Sequence, residues 1–184
     1  MIPRASFEQV ALPHMAAAFN LARHILGQRA DAEDAVQDAY VRAYRAYHQL
    51  ESQDIKPWLL TIVRNVCYRR LQQRRRANNV ISLDEAINPG VAAGEFELHS
   101  GLRSPEEAAI GASEQTLVSA AIADLPPAFR EVIVLREIEE LSYREIADII
   151  GAPVGTVMSR LARARSQLKE RLTRLLDRDE SDAM

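Results

Sequence analysis

Arginine side chains cluster in two separate stretches of this 184-residue chain, and their chemistry is that of phosphate binding. Residues 64–76 carry six arginines and no acid, and residues 153–175 carry six basic residues against the single acid Glu170. Guanidinium groups bind phosphate oxygens and guanine edges through paired hydrogen bonds. The net charge of the chain is -3, so its basic residues are segregated rather than abundant. We therefore expect nucleic acid to contact the protein at two places, the alternative being two solvated helix faces.

The second basic stretch belongs to a predicted helix-turn-helix between Leu141 and Leu168. Ser142 and Glu145 stand at the spacing of a capping box, which begins a helix. Gly151 can adopt the left-handed conformation that ends this helix, and Pro153 suits the first position of the next one. Such a unit places its second helix in the DNA major groove. The alternative is an ordinary helical hairpin with a solvated basic face.

Apolar residues recur at helical spacing in both helices of this unit, which indicates that the two helices pack against each other. The apolar face of the first helix consists of Tyr143, Ile146, Ala147 and Ile150. The apolar face of the second helix consists of Val157, Leu161, Ala164 and Leu168. The polar and basic residues of the second helix are therefore expected to point away from the core.

Composition and residue spacing exclude several classes of function. The sequence has no glycine-rich phosphate loop, no paired nucleophile and base, and no histidine or cysteine group at metal-ligand spacing. We expect no enzymatic activity, no catalytic residue, no cofactor, no metal and no small-molecule substrate. The single cysteine, Cys67, is expected to fill space in a core, and a reducing cytoplasm is the simplest location. No apolar run approaches the roughly 20 residues that cross a bilayer, so no membrane insertion is expected.

Helical periodicity dominates the chain, and no segment shows the alternation of a strand. The predicted fold is all-α, with two small helical domains joined by a flexible linker and a helix-turn-helix in the C-terminal domain. We place the first domain at residues 1–76, an acidic linker at 77–105, the second domain at 106–176 and a frayed tail at 177–184. The linker is rich in Asn, Gly and Pro, and it is long for a connection within one compact domain.

The first predicted domain contains an acidic amphipathic helix and an arginine-rich last helix. The acidic helix begins at Asp31, and carboxylates in its early turns favour the positive end of the helix dipole. Pro57 lies in the first turn of the last helix, where its missing amide does no harm. Trp58 shares an apolar stripe in that helix, so a place in the core is favoured over stacking on a base.

Three blocks of sequence together resemble one protein family. They read DAEDAVQDAYVRAYRAY at 31–47, PWLLTIVRNVCYRRL at 57–71 and LPPAFREVIVLREIEELSYREIADIIGAPVGTVMSRLARAR at 125–165. In this order they are similar to bacterial RNA polymerase sigma factors of the extracytoplasmic-function (ECF) group, the minimal two-domain type. The resemblance implies an alternative sigma factor that binds core RNA polymerase and directs promoter-specific initiation. Its first domain would melt the proximal promoter element, and its helix-turn-helix would read the distal element.

The resemblance also implies three sets of site residues. Docking on the clamp helices of the polymerase is implied for Asp34, Gln37, Asp38 and Arg42. Contact with the proximal element is implied for Ser52, Gln53, Arg64, Asn65, Arg69 and Arg70. Contact with the distal element is implied for Thr156, Met158, Ser159, Arg160, Ala162 and Arg163. Met158 stands where lysine or arginine is common in the family, and Ala162 where a larger or polar residue is common. One phosphate or base contact of the family is therefore expected to be missing, and the small Ala162 leaves room for a thymine methyl group.

Further partners and two rival functions follow from the same comparison. The helix around Phe129 is expected either to support the helix-turn-helix or to receive the polymerase flap, and an anti-sigma factor is an expected partner. A sigma-like mimic that titrates an anti-sigma regulator is one rival, although such mimics usually carry a receiver domain for which this chain has no room. A helix-turn-helix repressor is the other rival, and it would need neither the acidic helix nor the first basic stretch.

Overall fold

A computed structural model describes residues 6–50, 54–81 and 117–182, and all regular structure in these ranges is helical. The first lobe consists of α1 (Phe7–Ala11), a 3-10 turn (Leu12–His14), α2 (Met15–Leu26), α3 (Arg29–Ala46), a second 3-10 turn (Tyr47–Gln49) and α4 (Ile55–Ile81). The second lobe consists of α5 (described over 117–123), α6 (Pro127–Ile133), a π-helical turn (Val134–Ile138), α7 (Tyr143–Ile150) and α8 (Val154–Asp182). The predicted all-α fold with two lobes and a helix-turn-helix is confirmed.

Several predicted boundaries need correction. Helix α3 begins at Arg29, two residues before the predicted start at Asp31. Helix α4 continues to Ile81, beyond the predicted domain end at residue 76. Helix α8 runs to Asp182 and therefore extends over residues 177–182, which belong to the predicted tail. The remainder of the predicted linker, and the predicted start of the helix that follows it, lie outside the described residues.

The first helix of the helix-turn-helix begins and ends as its sequence predicts. The Ser142 hydroxyl accepts a hydrogen bond from the Glu145 amide (3.3 Å), and the Glu145 carboxylate accepts one from the Ser142 amide (2.7 Å). Gly151 ends α7 at φ 64° and ψ 43°, the left-handed conformation that glycine adopts without strain. Helix α8 begins at Val154, so Pro153 is the cap residue before the helix and not, as predicted, its first residue. The Pro153 carbonyl accepts hydrogen bonds from the amides of Thr156 (2.8 Å) and Val157 (3.2 Å).

Replacing Ser142 by alanine is expected to lower the free energy of unfolding by about 1 kcal/mol, because one amide of the first turn loses its partner. Equilibrium denaturation monitored by circular dichroism measures this loss. Ser142→Thr, which keeps a hydroxyl at the cap, is the matched control and should retain most of the stability. An alanine variant as stable as the wild type would contradict the assigned cap.

The first lobe is held together by small residues and by one aromatic cluster. Alanines dominate the buried faces of α2 and α3, so these helices can approach each other and α4 closely. The ring of Phe7 meets those of Tyr40, Tyr44 and Tyr47 edge-on, at centroid distances of 6.1, 5.6 and 5.5 Å. Trp58 packs half-buried beside this cluster, as its apolar stripe predicts.

The two lobes pack directly against each other, which the sequence did not predict. Helix α4 lies against α7, and α2 lies against α6 and the π-helical turn. Buried residues of both lobes form one continuous apolar core, in which Leu60 and Val63 of α4 join Ile133 and Ile146 of the second lobe. Cys67 is part of this core, and burial raises the pKa of its thiol to about 12. Within the described ranges, every helix is too short or too polar to cross a bilayer.

Candidate nucleic-acid interface

The first turns of α8 have one buried face and one exposed face. Val157, Leu161 and Ala164 are buried against the rest of the second lobe, as predicted. Four of the residues predicted for the distal element lie on the exposed face, and two are half-buried. The exposed residues are Met158, Ser159, Ala162 and Arg163, and the half-buried residues are Thr156 and Arg160.

Two features distinguish the exposed face of α8 from a uniformly basic surface. The Met158 side chain is 53% exposed, so an apolar group stands between the polar ones. The Ser159 hydroxyl donates to the Thr156 carbonyl (3.1 Å), which fixes its direction on the helix. Arg163 lies on the same exposed side of the helix. This face can therefore offer one guanidinium, one hydroxyl and one apolar contact to a groove.

Arg165, a basic residue of the second stretch, forms an ion pair within the protein. The Arg165 guanidinium donates to the Glu137 carboxylate in the π-helical turn, at 2.7 Å from Nη2 and 3.0 Å from Nε. These hydrogen bonds raise the pKa of Arg165 above its usual value. Arg165 therefore ties α8 to the preceding turn and is a structural residue in this conformation.

The first basic stretch is divided among three environments. Asn65 and Arg69 are exposed on α4, as a nucleic-acid face requires. Arg70 reaches α3 instead, where its Nη2 donates to the Asp34 carbonyl (3.1 Å). Arg64 points toward the second lobe, where it forms an ion pair with the Glu131 carboxylate. The two predicted loop residues, Ser52 and Gln53, lie outside the described residues.

Glu131 of α6 is the carboxylate that receives Arg64. Its side chain is 1% exposed, and that of Arg64 is 20% exposed. The Arg64 Nε donates to Glu131 Oε1, and the Tyr68 hydroxyl donates to Glu131 Oε2 (3.2 Å). The Arg64 guanidinium also lies over the Tyr68 ring, 4.6 Å from its centroid. Burial, followed by the nearby Glu131 carboxylate, raises the pKa of Tyr68 to about 12.

A second buried carboxylate, Glu139, lies between the lobes beside α4. The Lys56 ammonium is 3.2 Å from Glu139 Oε2 and donates to the Glu139 carbonyl (2.8 Å). The Asn20 amide donates to Glu139 Oε1 (3.2 Å). In the part of the chain that the structure describes, these two ion pairs each join a cation of the first lobe to an acid of the second.

Arg130 adds a further link between the lobes. Its guanidinium donates to the carbonyls of His24 (2.9 Å) and Leu125 (2.9 Å), and to that of Ala123. Burial, followed by the charge of Arg130, lowers the pKa of His24 to about 4. His24 is therefore neutral near pH 7, which suits a ring buried beside a cation.

Glu131, Glu139 and Arg130 are residues of the lobe boundary that were not predicted from the sequence. A signal was present at Glu131, because this acid directly precedes an apolar run from Val132 to Leu135. A buried acid requires a cation or hydrogen-bond donors nearby. Its actual partner, Arg64, lies 67 positions earlier, so periodicity alone could not identify it.

The acidic helix α3 presents an exposed mixed face. Asp34 and Gln37 are exposed, and Arg42 makes two hydrogen bonds to the half-buried Asp38 carboxylate, at 3.0 and 3.2 Å. The same side carries two large apolar residues that were not predicted as site residues. Val41 is 49% exposed and Tyr44 is 62% exposed. Charged groups beside exposed apolar groups are typical of a protein–protein interface rather than of a solvated face.

Comparisons with known proteins match both lobes. Residues 12–77 match the family described as Sigma-70 region 2, and residues 115–168 match the family described as Sigma-70, region 4. The chain is 32% identical over 154 residues to the ECF RNA polymerase sigma-E factor of Haemophilus influenzae. The match covers 80% of this chain and 78% of that relative.

Two solved structures are similar over nearly the whole chain. One is the sigma factor RpoE in complex with the anti-sigma factor NepR from Bartonella quintana, with a TM-score of 0.70 and 28% identity. That match covers 91% of this chain and 96% of the other. The second is CnrH in complex with the cytosolic domain of CnrY, with a TM-score of 0.60 and 27% identity. It covers 94% of this chain and 88% of the other.

Proposed function

This chain belongs to the ECF sigma factors of RNA polymerase, and on that premise we propose that its two lobes divide promoter recognition between them. The chain is an alternative sigma factor that directs transcription initiation. The second lobe reads the distal promoter element with α8, and the first lobe binds and melts the proximal element with α4. The observation that carries this division is the exposed face of α8, which combines Ser159, Met158 and Arg163 beyond a correctly capped helix-turn-helix.

Recognition of the distal element depends on the exposed side of α8. Arg163 is the residue best suited to a base contact, because its guanidinium can bond both acceptors of a guanine in the major groove. Ser159, Thr156 and Arg160 hold phosphates or base edges around it. Ala162, the small exposed residue beside Arg163, leaves room for a thymine methyl group.

Melting of the proximal element depends on α4 and on the loop before it. Arg69, Asn65, Arg64 and Arg70 hold the backbone of the separated strand, and Asn65 and Arg69 are already exposed for that task. Ser52 and Gln53 capture an unstacked base, an assignment that rests on the family resemblance.

The exposed face of α3 is the docking surface for the clamp helices of core polymerase. Asp34, Gln37, Asp38 and Arg42 supply its polar groups, and Val41 and Tyr44 supply apolar area at its centre. Charge complementarity to a basic helical partner orients the encounter and raises its rate. The helix around Phe129 serves the flap, and an anti-sigma factor is a further partner, as in the solved complex of RpoE with the anti-sigma factor NepR.

The family consists of transcription factors, and the chain contributes no catalytic group of its own to RNA synthesis. It acts in the cytoplasm, where polymerase and promoter DNA are present. No cofactor and no small-molecule substrate take part.

Run-off transcription with core polymerase tests this function. A promoter-dependent transcript that appears only when the chain is added is the expected result. Core binding without any transcript across a panel of candidate promoters would favour a sigma-like mimic that titrates an anti-sigma regulator. Tight binding to duplex DNA in the absence of polymerase would favour a helix-turn-helix repressor.

Binding of promoter DNA by the polymerase complex is expected to weaken steeply with added salt. Each arginine–phosphate contact releases condensed counterions, so the logarithm of the binding constant falls with the logarithm of salt by about 0.9 for each contact. Titrations of a labelled promoter fragment at several salt concentrations measure this slope. Removing Arg69 should reduce the slope by about one contact. A slope identical in the wild type and the Arg69→Ala variant would contradict its assignment.

A further inference from the structure

The exposed side of α8 has an apolar edge. Val154, Met158 and Ala162 follow one another at intervals of four residues, so they lie in a row along one side of the helix. The Val154 side chain is 40% exposed, that of Met158 is 53% exposed, and Ala162 is exposed as well. Single apolar residues at a surface are ordinary, but a row of three beside polar binding residues is a patch that needs a partner. We call these three side chains the apolar edge of α8.

The opposite edge of the same exposed side is polar. Thr156, Arg160 and Arg163 recur there at intervals of four and three residues, and Ser159 lies between the two edges. At 100° for each residue, Arg163 points about 140° away from Met158 around the helix. The major groove is about 12 Å wide and admits one helix, so the two edges of such a helix face different sides of the groove. The apolar edge and the arginines therefore contact different groups of the DNA.

The pairing of Arg165 keeps its charge away from the apolar edge. Arg165 lies seven residues after Met158, which places it two turns further along the same side of α8. A free guanidinium there would extend a phosphate-binding surface. The Arg165 guanidinium instead donates to the Glu137 carboxylate at 2.7 and 3.0 Å. This side of the helix therefore offers an apolar contact to a ligand, and phosphate binding is left to the opposite edge.

We propose that the apolar edge of α8 reads the C5-methyl groups of thymines in the distal promoter element, and that Met158 is its specificity-determining residue. The inference rests on the proposed function, since it uses α8 as the helix that enters the major groove. Thymine is the base that presents a methyl group in that groove, whereas the other bases present hydrogen-bond donors and acceptors there. An apolar side chain therefore favours thymine over the other three bases.

The length of the apolar edge matches a short run of bases. Residues four positions apart in a helix are separated by about 6 Å along its axis, so the edge is about 12 Å long. Successive bases of one strand are about 3.4 Å apart along the duplex, so the edge spans about three to four steps. Met158 lies at the centre of the edge, and its flexible, polarisable thioether adapts to an irregular apolar surface. Val154 and Ala162 extend the contact on either side of it.

Recognition of a methyl group has a signature that recognition by hydrogen bonds lacks. Uracil pairs with adenine as thymine does and keeps the O4 acceptor, but it has no methyl group. Burial of one methyl group against an apolar side chain changes affinity by about fourfold. Replacing a contacted thymine by uracil should therefore weaken binding by about this factor, although every hydrogen bond of the base pair is kept. The same replacement should have no effect once the side chain that covers the methyl group is removed.

The test uses the complex of this chain with core polymerase and begins with a selection from duplex fragments whose promoter elements are randomised. The selected fragment is remade with uracil in place of each distal-element thymine in turn, and its affinity is measured at fixed salt. The wild type should lose about fourfold in affinity at one or more thymines, and Met158→Ala should show no loss at the thymine that Met158 covers. The matched control is Met15→Ala, because Met15 is 44% exposed in the first lobe. This control should show the wild-type loss at every position.

Met158→Lys provides a second measurement that keeps a long side chain at this position. An ammonium group gains attraction to a phosphate, so the dependence of the binding constant on salt should become steeper by about 0.9 in the logarithmic slope. The sensitivity to uracil should disappear at the same thymine as in Met158→Ala. Affinity that is kept while sensitivity to the methyl group is lost would separate base reading by Met158 from a structural role.

Three outcomes would overturn the proposal. The first is a selected element whose thymines can all be replaced by uracil without loss of affinity. The second is a uracil effect that persists in both Met158 variants, each shown by circular dichroism to be folded. The third is weaker binding of Met158→Ala to core polymerase in the absence of DNA, which would make the apolar edge a protein-docking surface. A selected sequence together with any of these outcomes would keep the sigma function, whereas a complex that selects no sequence would reject the function and this inference with it.

Discussion

Replacing Arg163 by alanine is expected to lower transcription from the cognate promoter by about 5- to 150-fold while polymerase binding stays unchanged. A bidentate contact between arginine and guanine contributes roughly 1–3 kcal/mol of discrimination, which corresponds to this range. The side chain lies on the exposed face of α8, whereas its helix is anchored by the buried Leu161 and Ala164. The substitution therefore removes a contact without disturbing the core of the second lobe.

Run-off transcription measures the effect, and titration of labelled protein with core polymerase measures docking. The matched control is Arg174→Ala, because Arg174 is exposed on the same helix beyond the helix-turn-helix and pairs with Glu170. This control should transcribe at the wild-type level. Arg163→Lys keeps the charge but not the planar fork, so it should recover only part of the activity. An equal fall in polymerase affinity would show instead that Arg163 supports the fold or the docking surface.

Charge reversal of both acids on α3, Asp34→Lys with Asp38→Lys, is expected to weaken binding to core polymerase by at least about tenfold. Like charges placed against a basic partner convert attraction into repulsion, and both the association rate and the affinity fall. Neither acid is required for folding. The exposed pair between Asp38 and Arg42 contributes less than about 1 kcal/mol, and Asp34 approaches Arg70 only to 3.9 Å.

Binding of the labelled variant to core polymerase, measured at two salt concentrations, checks this prediction. Glu33→Lys is the matched control, because Glu33 is exposed on α3 but points about 100° away from Asp34 around the helix. The control should bind with the wild-type affinity. Polymerase affinity that is the same for the double variant and for the control would remove the docking role from this face.

The parts of the fold that sequence predicted correctly are those specified by local rules. The capping box at Ser142, the left-handed Gly151 and the apolar stripe through Val157 each involve residues within a few positions of one another. Hydrogen bonds and helical spacing over such short distances leave a readable pattern. The one-residue error at Pro153 is of the kind expected at helix ends.

The lobe boundary could not be predicted, because its contacts join residues far apart in the chain. Arg64 and Glu131 are separated by 67 positions, and Lys56 and Glu139 by 83. Each of these residues taken alone is compatible with a solvated helix face. The assignment of Arg64 to the proximal element illustrates the limit, since its sequence context cannot reveal that a carboxylate holds it.

The same difference between local and distant contacts decides which parts of the candidate site could be predicted. The exposed residues of α8 follow from the apolar stripe of their helix, so the sequence was sufficient to locate them. The exposed Val41 and Tyr44 were missed because exposure of an apolar side chain depends on what the rest of the fold leaves uncovered. The pairing of Arg165 with Glu137 could not be predicted either, since Glu137 lies in a π-helical turn that breaks ordinary helical spacing.

Alkylation of the buried Cys67 thiol can report opening of the core around it. Its thiol is fully covered, lies near Glu131 at the lobe boundary and has a raised pKa, so an alkylating reagent meets almost no reactive thiolate. Reaction requires the surrounding core to part and the thiol to reach water. Because Cys67 is the only cysteine in the sequence, its labelling needs no engineered probe. When alkylation is faster than reclosing, the labelling rate equals the rate of opening. The labelling rate of this one thiol therefore reports the frequency of core opening and not its amplitude.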